Sequence, residues 1–331
     1  MPIKTNNITY LILVVLFGGL AYMLNKEKVS ISRSDRRDFS IEDSSKVVQI
    51  TLSSKVPETA ILRRVNESYW TINEEYKAGN SLVQNLLKTL QRMEIAHPVP
   101  LTMRENILGN LAIYGIRVQV ELKNGDEKIF YVGGENQEQS ATFMMLQNAT
   151  EPYAVHIPGF QGYLSSRFFT EEYIWRDKMI MNYDNKNIES IMINYMDSNT
   201  AESFFLQQNN EGIKVYEKNS GKIAATIEKK VKRFLASFRK LPAESFVSGN
   251  LNTDSLLKTN PLFEIEVTPL EGEKTSMRVY PKRNLNTVNI EDNIIMPDPE
   301  RLYAYVNEED WMVIQLNTFN KIMVKLSDLK K

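Results

Sequence analysis

The sequence predicts an α+β protein: an N-terminal membrane helix followed by two structurally related modules, each an antiparallel sheet with helices, that arose by internal duplication. Three observations lead to this prediction. The chain opens with an uncharged apolar run, short β-branched or aromatic runs outnumber helical patterns in the remainder, and the same order of runs occurs twice. With 331 residues, 42% of them hydrophobic, the chain is long enough for one large core or two of ordinary size.

The N-terminal run "ITYLILVVLFGGLAYML", residues 8–24, has no charge and is flanked by Lys4 and Lys26. As a helix it would span roughly 25 Å at ~1.5 Å per residue, and its flanking lysines could snorkel to complete a ~30 Å hydrocarbon core. We therefore predict a transmembrane signal anchor over residues 1–25. A signal peptide cleaved near Ala21 and a buried helix are the alternatives, although the apolar run continues beyond Ala21.

Residues 26–45 are charged and rich in Ser, which is typical of a tether. Their basic residues would, by the positive-inside rule, favour a cytoplasmic location for the C-terminal part of the chain. A short N-terminal flank before a long polar chain is nevertheless the layout of a signal anchor whose C-terminal part is exported. We expect a single-pass protein of the bacterial inner membrane with most of the chain on the periplasmic side.

The first module, residues 46–164, begins with "KVVQITLS", "TAILRRV" and "YWTIN", which predict an antiparallel meander. A helix comes next, with Asn80 or Ser81 as its cap, because five apolar residues share one face. They are Leu82, Leu86, Leu87, Leu90 and Met93. A second helix, "MRENILGNLAIYG", ends at Gly115. "IRVQVEL", "EKIFYVG", "ATFMML" and "PYAVHIP" predict four further strands, the first two joined by an Asn-Gly hairpin turn.

The second module, residues 187–331, repeats this order after a linker over residues 165–186. "NIESIMINY", "ESFFLQQ", "GIKVYE" and the helical "IEKKVKRFLASFRKL" correspond to the first three strands and the first helix. The offset between equivalent residues grows from 141 at Ile50 and Ile191 to 147 at Val120 and Val267, as loop insertions would produce. Because identity is low, the alternative is that any two α+β stretches could be overlaid in this way.

Composition and motifs exclude several functions. Forty basic and 41 acidic residues leave a net charge of -1, which argues against a nucleic-acid partner, and the absence of Cys removes thiolate chemistry. No nucleophile elbow or phosphate loop occurs. His97 is interpreted as a helix-end contact and His156 as a strand residue. We predict no enzyme activity and no catalytic, cofactor-binding or metal site, with a carboxylate-dependent hydrolase left open.

The segment "IPGFQGYLSSRFF" is predicted to leave the sheet after Ile157, because Pro cannot donate a ladder hydrogen bond and Gly readily adopts positive φ. Aromatic and Arg side chains lie beyond this corner. We predict that six of these side chains contact a partner or pack between the modules. They are Phe160, Tyr163, Arg167, Phe168, Trp175 and Arg176. Packing between the modules is the plainer interpretation, and a partner surface is the functional one.

Several strings together resemble an uncharacterised bacterial family, domain of unknown function 4340. They are "RRDFSIEDSSKV", "YWTINEEYKA", "YGIRVQV", "FYVGG", "HIPGFQGYLSSRF" and "WRD", within residues 36–177. The resemblance implies an N-terminal membrane segment and an association of related domains with gliding-motility ABC transporter auxiliary proteins, and it brings no catalytic residue. Ala141 stands where a Gly is expected, which puts the geometry of that turn in doubt.

The function predicted from these features is that of a membrane-tethered, non-enzymatic envelope protein, an assembly or accessory component of a membrane or surface complex. Its predicted partners are the membrane, through the N-terminal helix, and envelope proteins, for which an ABC-transporter-type complex is one candidate. The alternative is a small-ligand or glycan binder, or a carboxylate-dependent hydrolase, using a cleft between the modules.

Overall fold

The computed structural model describes residue 17 and residues 35–55, 58–247, 251–289 and 294–330. The chain divides into two compact units, Met1–Trp175 and Arg176–Lys331. Both are α+β with antiparallel strand pairing, as the sequence predicts. Within these ranges no helix combines the length and the apolar character needed to cross a bilayer. The predicted anchor, residues 8–24, lies outside the described residues except for Phe17.

The first unit contains a nine-stranded sheet in the order β4-β3-β2-β1-β6-β7-β8-β9-β5. Its strands are β1 (Val47–Ser53), β2 (Thr59–Arg64), β3 (Trp70–Ile72), β4 (Tyr76–Lys77), β5 (Glu94–Pro98), β6 (Ile116–Leu122), β7 (Glu127–Glu135), β8 (Thr142–Leu146) and β9 (Tyr153–His156). Its helices are α1 (Asn80–Arg92), α2 (Leu101–Tyr114) and α3 (Glu172–Trp175). The runs predicted as strands and helices in this module are therefore confirmed.

The two longer helices cover opposite faces of this sheet. On the inner face, α1 buries Leu86 and Leu90 in the main core of the unit. On the outer face, α2 buries Ile107 and Leu111 in a small separate core, against side chains of β7 and β8. Alternate residues of β7 and β8 belong to the two cores, as the two-residue period of a strand requires.

The start of α1 differs from the prediction. Gly79, not Asn80 or Ser81, is the N-cap residue, and it has no side chain with which to cap. The backbone N–H of Gly79 instead donates to the carbonyl oxygen of Trp175 at 2.7 Å. The helix start is thus held by a chain segment far away in the sequence, a contact that a local pattern cannot predict.

The second unit contains an eight-stranded sheet in the order β13-β12-β11-β16-β17-β18-β19-β15, and a two-stranded sheet of β10 and β14. Its strands are β10 (Met179–Met181), β11 (Ile188–Tyr195), β12 (Phe204–Asn209), β13 (Gly212–Glu217), β14 (Leu241–Pro242), β15 (Ser245–Phe246), β16 (Phe263–Pro269), β17 (Thr275–Asn289), β18 (Ile294–Val306) and β19 (Asp310–Gln315). Its helices are α4 (Glu228–Ala236), α5 (Thr253–Leu257), α6 (Leu316–Phe319) and α7 (Leu326–Leu329). On its inner face, α4 buries Val231 and Leu235 in the core.

The stretch predicted as an inter-module linker, residues 165–186, is folded into the units. Phe168 and Trp175 lie in the core of the first unit, and β10 pairs with β14 in the second. The stretch predicted as a tether, residues 26–45, is also partly folded, since Phe39 and Ile41 are buried in the first unit. Buried residues such as Phe39, Phe168 and Trp175 thus attach these polar segments to the first unit.

Candidate functional site

An apolar groove lies on the outer face of the first sheet, beside α2. We call this cavity, of about 620 Å³, the first-unit groove. Its floor includes one row of residues across four paired strands, because Ser53 of β1 faces Arg117 of β6, Arg117 faces Tyr131 of β7, and Tyr131 faces Met145 of β8. The row runs from polar at β1 to apolar at β8.

The wall of the first-unit groove is one side of α2. Ile107 and Leu111 face the sheet. The residues that follow them in the sequence, Leu108 and Ala112, lie on the adjacent side of the helix and line the groove. Gly115 ends the helix at the groove, where a Cβ atom would stand 2.3 Å from the carbonyl oxygen of Leu111. A glycine is therefore required for the direct turn from α2 into β6.

The charged residues of the first-unit groove are both cationic. Arg117 donates from Nη1 to the amide oxygen of Gln119 at 2.9 Å, a neutral partner, and Lys55 lies two residues after Ser53. Among the described residues that line the groove, none is Asp or Glu. The groove thus combines an apolar wall with positive charge at its β1 and β6 side.

The second unit has a groove at the equivalent place, also of about 620 Å³, which we call the second-unit groove. Its row runs through Asn194, Glu264, Arg278 and Tyr305 of β11, β16, β17 and β18. Arg278 is paired with Glu264 at 3.3 Å and with Glu308 at 2.6 Å. Lys274, the other cation that lines this groove, is paired with Glu266 at 3.0 Å, so carboxylates of the groove neutralise both cations.

Two of the predicted contact residues, Phe168 and Trp175, are each 1% exposed in the core of the first unit. The Phe168 ring meets Phe130 edge-on at 6.2 Å, and Nε1 of Trp175 donates to the carbonyl oxygen of Phe169 at 3.0 Å. Both side chains are structural elements of this unit, and neither presents a surface to a partner.

The corner after Ile157 is confirmed, since β9 ends at His156 and Gly159 and Gly162 have φ values of 77° and 138°. The corner folds Phe160, which is 39% exposed, over Arg167, with the guanidinium carbon 4.5 Å from the ring centroid. Arg167 also donates to the hydroxyl of Thr89 at 2.8 Å, and burial lowers its pKa.

Tyr163 is half-buried, and Arg176 belongs to the second unit. There Arg176 pairs with Asp310 at 2.5 Å and lies 4.4 Å from the centroid of the Phe246 ring. Of the six predicted contact residues, Phe160 and Arg167 are therefore brought together, while Arg176 has its own partners elsewhere.

The two histidines stand apart from any assembled chemistry. The interpretation of His97 as a helix-end contact is wrong, because α1 ends at Arg92 and His97 lies in the edge strand β5, with Nδ1 3.0 Å from the carbonyl oxygen of Pro98. His156 pairs across β9 and β5 with Glu94. In the part of the chain that the structure describes, no group of three or more His, Asp and Glu residues is placed to hold a metal ion.

The first-unit groove was missed by sequence reasoning, although a signal for it exists. The offsets of 141 and 147 map Ser53 to Asn194 and Arg117 to Glu264, so the change of chemistry at equivalent positions is visible in the sequence. What the sequence does not show is that α2 leaves this part of the outer face uncovered.

These features define the class: a two-unit α+β protein with a groove of distinct chemistry on each sheet. Residues 70–262 match the family model described as Domain of unknown function (DUF4340), and the chain belongs to this family. The match begins at β3 of the first unit and extends to the residue before β16 of the second. No curated protein matches the chain.

Proposed function

We propose that this protein is a membrane-tethered, non-enzymatic binding protein of the bacterial envelope, serving as an assembly or accessory component of a membrane or surface complex. In this proposal residues 8–24 are a retained inner-membrane anchor and both units lie on the periplasmic side. The apolar run supports the anchor, because none of its 17 positions is charged.

The attachment of the first residues of the fold supports a position near the membrane. Phe39 is fully buried, with its ring 5.9 Å from Phe130 and 6.3 Å from Tyr153. Nζ of Lys128 donates to the carbonyl oxygens of Asp38 and Ser40, each at 2.7 Å, and burial lowers the pKa of Lys128. About ten residues then separate the apolar run from Asp35, a reach of at most ~35 Å.

The observation that carries a binding function is the first-unit groove. Its apolar wall includes Leu108 and Ala112, which are open to solvent, and its cations have no carboxylate partner among the described lining residues. Catalysis by acids and bases would need titratable groups in mutual contact with the reacting atoms. The groove offers apolar area and positive charge, which suit recognition.

We also infer that the two units are products of an internal duplication. In the first sheet the order β3-β2-β1 is followed by β6-β7-β8-β9 and then by the edge strand β5. In the second sheet the order β13-β12-β11 is followed by β16-β17-β18-β19 and then by the edge strand β15. In each sheet the edge strand therefore comes earlier in the chain than the four strands beside it. Among the described strands of the two large sheets, β4 is the one with no equivalent strand in the second unit. At the corresponding place, beside β13, an isolated bridge joins Tyr216 to Ile223. The equivalence of the two grooves adds to this support.

The test uses the full chain in its native membranes and has two parts. Protease added after permeabilisation of the outer membrane should digest both units, while the N-terminal residues remain in the mature protein. Protection of the units, or a mature N-terminus near Tyr22, would contradict the proposed topology.

The second part tests the groove. Ala112→Trp should fill the groove. The set of partner proteins that is cross-linked chemically to the wild-type chain should then no longer be cross-linked to this variant. The control is Asn106→Trp, which places the same side chain on an exposed residue of α2 away from the groove. Equal partner recovery with both variants would remove the groove from the proposed function.

A further inference from the structure

We propose that the first-unit groove binds a single-chain amphiphile: an acyl chain that ends in an anionic group, either a carboxylate or a phosphate. This inference rests on the proposed binding function and gives its ligand a chemical class. The volume of about 620 Å³ lies within the roughly 300–1,000 Å³ that is usual for small-molecule sites.

The apolar part of the groove suits the chain of the amphiphile. Leu108 and Ala112 of α2 line the groove together with Tyr131 and Met145 of the floor, and Leu111, packed on the sheet, borders it. An acyl chain laid along this wall would be removed from water without needing any hydrogen bond, and each methylene would add to the binding energy.

The cationic side suits the head group. Arg117 stands in the same row as Tyr131 and Met145, so one ligand could reach both the apolar wall and the guanidinium. A guanidinium binds carboxylate and phosphate through paired N–H groups, and here its partner Gln119 is neutral. Lys55 adds a second positive charge to the lining.

An extended peptide fits this site less well. Peptides that bind beside a sheet usually add to an exposed strand edge. The four strands beneath the groove, β1, β6, β7 and β8, are each paired on both sides, so they offer no such edge. An acyl chain needs only apolar contact, which is what the site provides.

The second-unit groove is the internal contrast. It has equal volume and an equivalent row, but Arg278 is already paired with Glu264 and Glu308. An anionic head group would compete with two carboxylates there. We therefore expect the amphiphile to bind in the first unit and not in the second.

The experiment uses the full chain in native membranes and palmitic acid carrying a photoactivatable diazirine near its methyl end. The corresponding alcohol tests the charge, and lysophosphatidylglycerol, which carries one labelled chain of the same kind, tests whether the source is a membrane phospholipid. After illumination, labelled peptides are located by mass spectrometry. We expect labelling within residues 101–117 or 127–146, saturable by unlabelled palmitate.

Two variants act on different parts of the site. Ala112→Trp should abolish the labelling by occupying the groove. Arg117→Gln should weaken palmitate labelling about tenfold, the change expected for loss of one charge-assisted contact, without weakening that of the alcohol. Asn106→Trp and Lys274→Gln, the latter in the second-unit groove, should leave labelling unchanged.

Labelling by free palmitate alone identifies a fatty acid as the ligand, and labelling by lysophosphatidylglycerol identifies a single-chain membrane phospholipid. Both support the proposal. Labelling that persists in Ala112→Trp would overturn the proposal. So would equal labelling by the alcohol and by palmitate. A label displaced by an acidic apolar peptide but not by unlabelled palmitate would also overturn it. Because Arg117→Gln leaves the wall intact, it also tests the site if Ala112→Trp fails to melt cooperatively.

The outcome is separable from that of the proposed function. If partner cross-linking depends on the groove while labelling does not, the ligand assignment fails and the assembly role stands. If labelling depends on the groove while partner cross-linking does not, the assembly role fails and the amphiphile site stands.

Discussion

The two units are alike where their cores require it and different on their outer faces. In the inner cores, Ile50 pairs with Val120 in the first sheet, and Ile191 pairs with Val267 in the second. These are the residues that the offsets of 141 and 147 predict to be equivalent, and all four are fully buried. Burial restricts these positions to apolar residues of similar size, so their pattern is readable in both halves.

The likeness extends to irregular details. Asp43 accepts a hydrogen bond from the backbone N–H of Ser45 at 2.9 Å, and Asp184 accepts one from that of Lys186 at 3.2 Å, each just before the corresponding strand: β1 in the first unit and β11 in the second. That strand then bulges in both units, at Val48 in the first and at Glu189 in the second. A shared bulge is a specific feature, because it adds one residue at one place in the ladder.

The ends of the units also correspond. Gly79, which precedes α1, donates its backbone N–H to the carbonyl oxygen of Trp175 at 2.7 Å, and Ile227, which precedes α4, donates to that of Leu329 at 2.9 Å. Trp175 and Leu329 end short helices and are buried in their respective cores. In each unit the last segment therefore holds the start of the long helix.

The outer faces differ because nothing in the common core restricts them. Arg117, Tyr131 and Met145 of the first-unit groove stand at the places of Glu264, Arg278 and Tyr305 of the second. The inner face therefore specifies the fold, whereas the outer faces of the two units carry different chemistry. Matched substitutions in the inner cores and turns should consequently have matched effects in the two units.

The largest effect is expected from removing the two closing side chains. Trp175→Ala should destabilise the first unit by ~3–5 kcal/mol, and Leu329→Ala should destabilise the second by ~2–5 kcal/mol, because both leave cavities in packed cores. Hydrogen exchange coupled to mass spectrometry can measure each unit in the full chain. We expect the greatest loss of protection in α1 for the first variant and in α4 for the second.

The same measurement separates the two roles assigned to Trp175. Unchanged protection in α1 would contradict the closing role that the contact with Gly79 indicates. Val65→Ala provides a control in the same unit, since Val65 is 58% exposed and its truncation should leave exchange unchanged.

The sequence predicted the strands and main helices well, because the alternation of Val118 and Val120 and the spacing of Leu86 and Leu90 report burial directly. It did not predict the closing segments, since the contact of Trp175 with Gly79 joins residues far apart in the chain. The first-unit groove was missed for a related reason. A groove is uncovered space, and its residues carry no periodic signal of their own.

A smaller effect is expected at the hairpin glycines. Gly125 and Gly272, 147 positions apart, have φ values of 87° and 105°, and a Cβ atom would meet nothing within 4 Å at either one. Replacement by Ala should therefore cost only the backbone strain, about 1–2 kcal/mol, and should cost the same in both units. Chemical denaturation that separates the two transitions would measure this.

Gly134→Ala is the matched control, because Gly134 has equal space and is not among the positive-φ residues. It should change the free energy of unfolding little. A large loss at Gly125 with none at Gly272 would break the equivalence of the two turns.

The smallest effect is expected at the aspartates before β1 and β11. Asp43→Ala and Asp184→Ala each remove one acceptor of a backbone N–H at the surface, so both should destabilise their units slightly and to a similar extent.

The hydrogen bonds from Ser45 lower the pKa of Asp43 below its ordinary 3.8. A carboxyl group whose pKa is lower in the folded state contributes stability above its unfolded pKa, and that contribution disappears as the pH falls through the folded pKa. The difference in melting temperature between the wild-type chain and Asp43→Ala should therefore be full well above pH 3.8 and should narrow as the pH falls below 3.8. Asp43→Asn keeps a neutral acceptor and loses the titration, so its difference from Asp43→Ala should not depend on pH. If the wild-type difference were equally independent of pH, the charge of Asp43 would have no part in holding this turn, and the likeness to Asp184 would be one of backbone geometry alone.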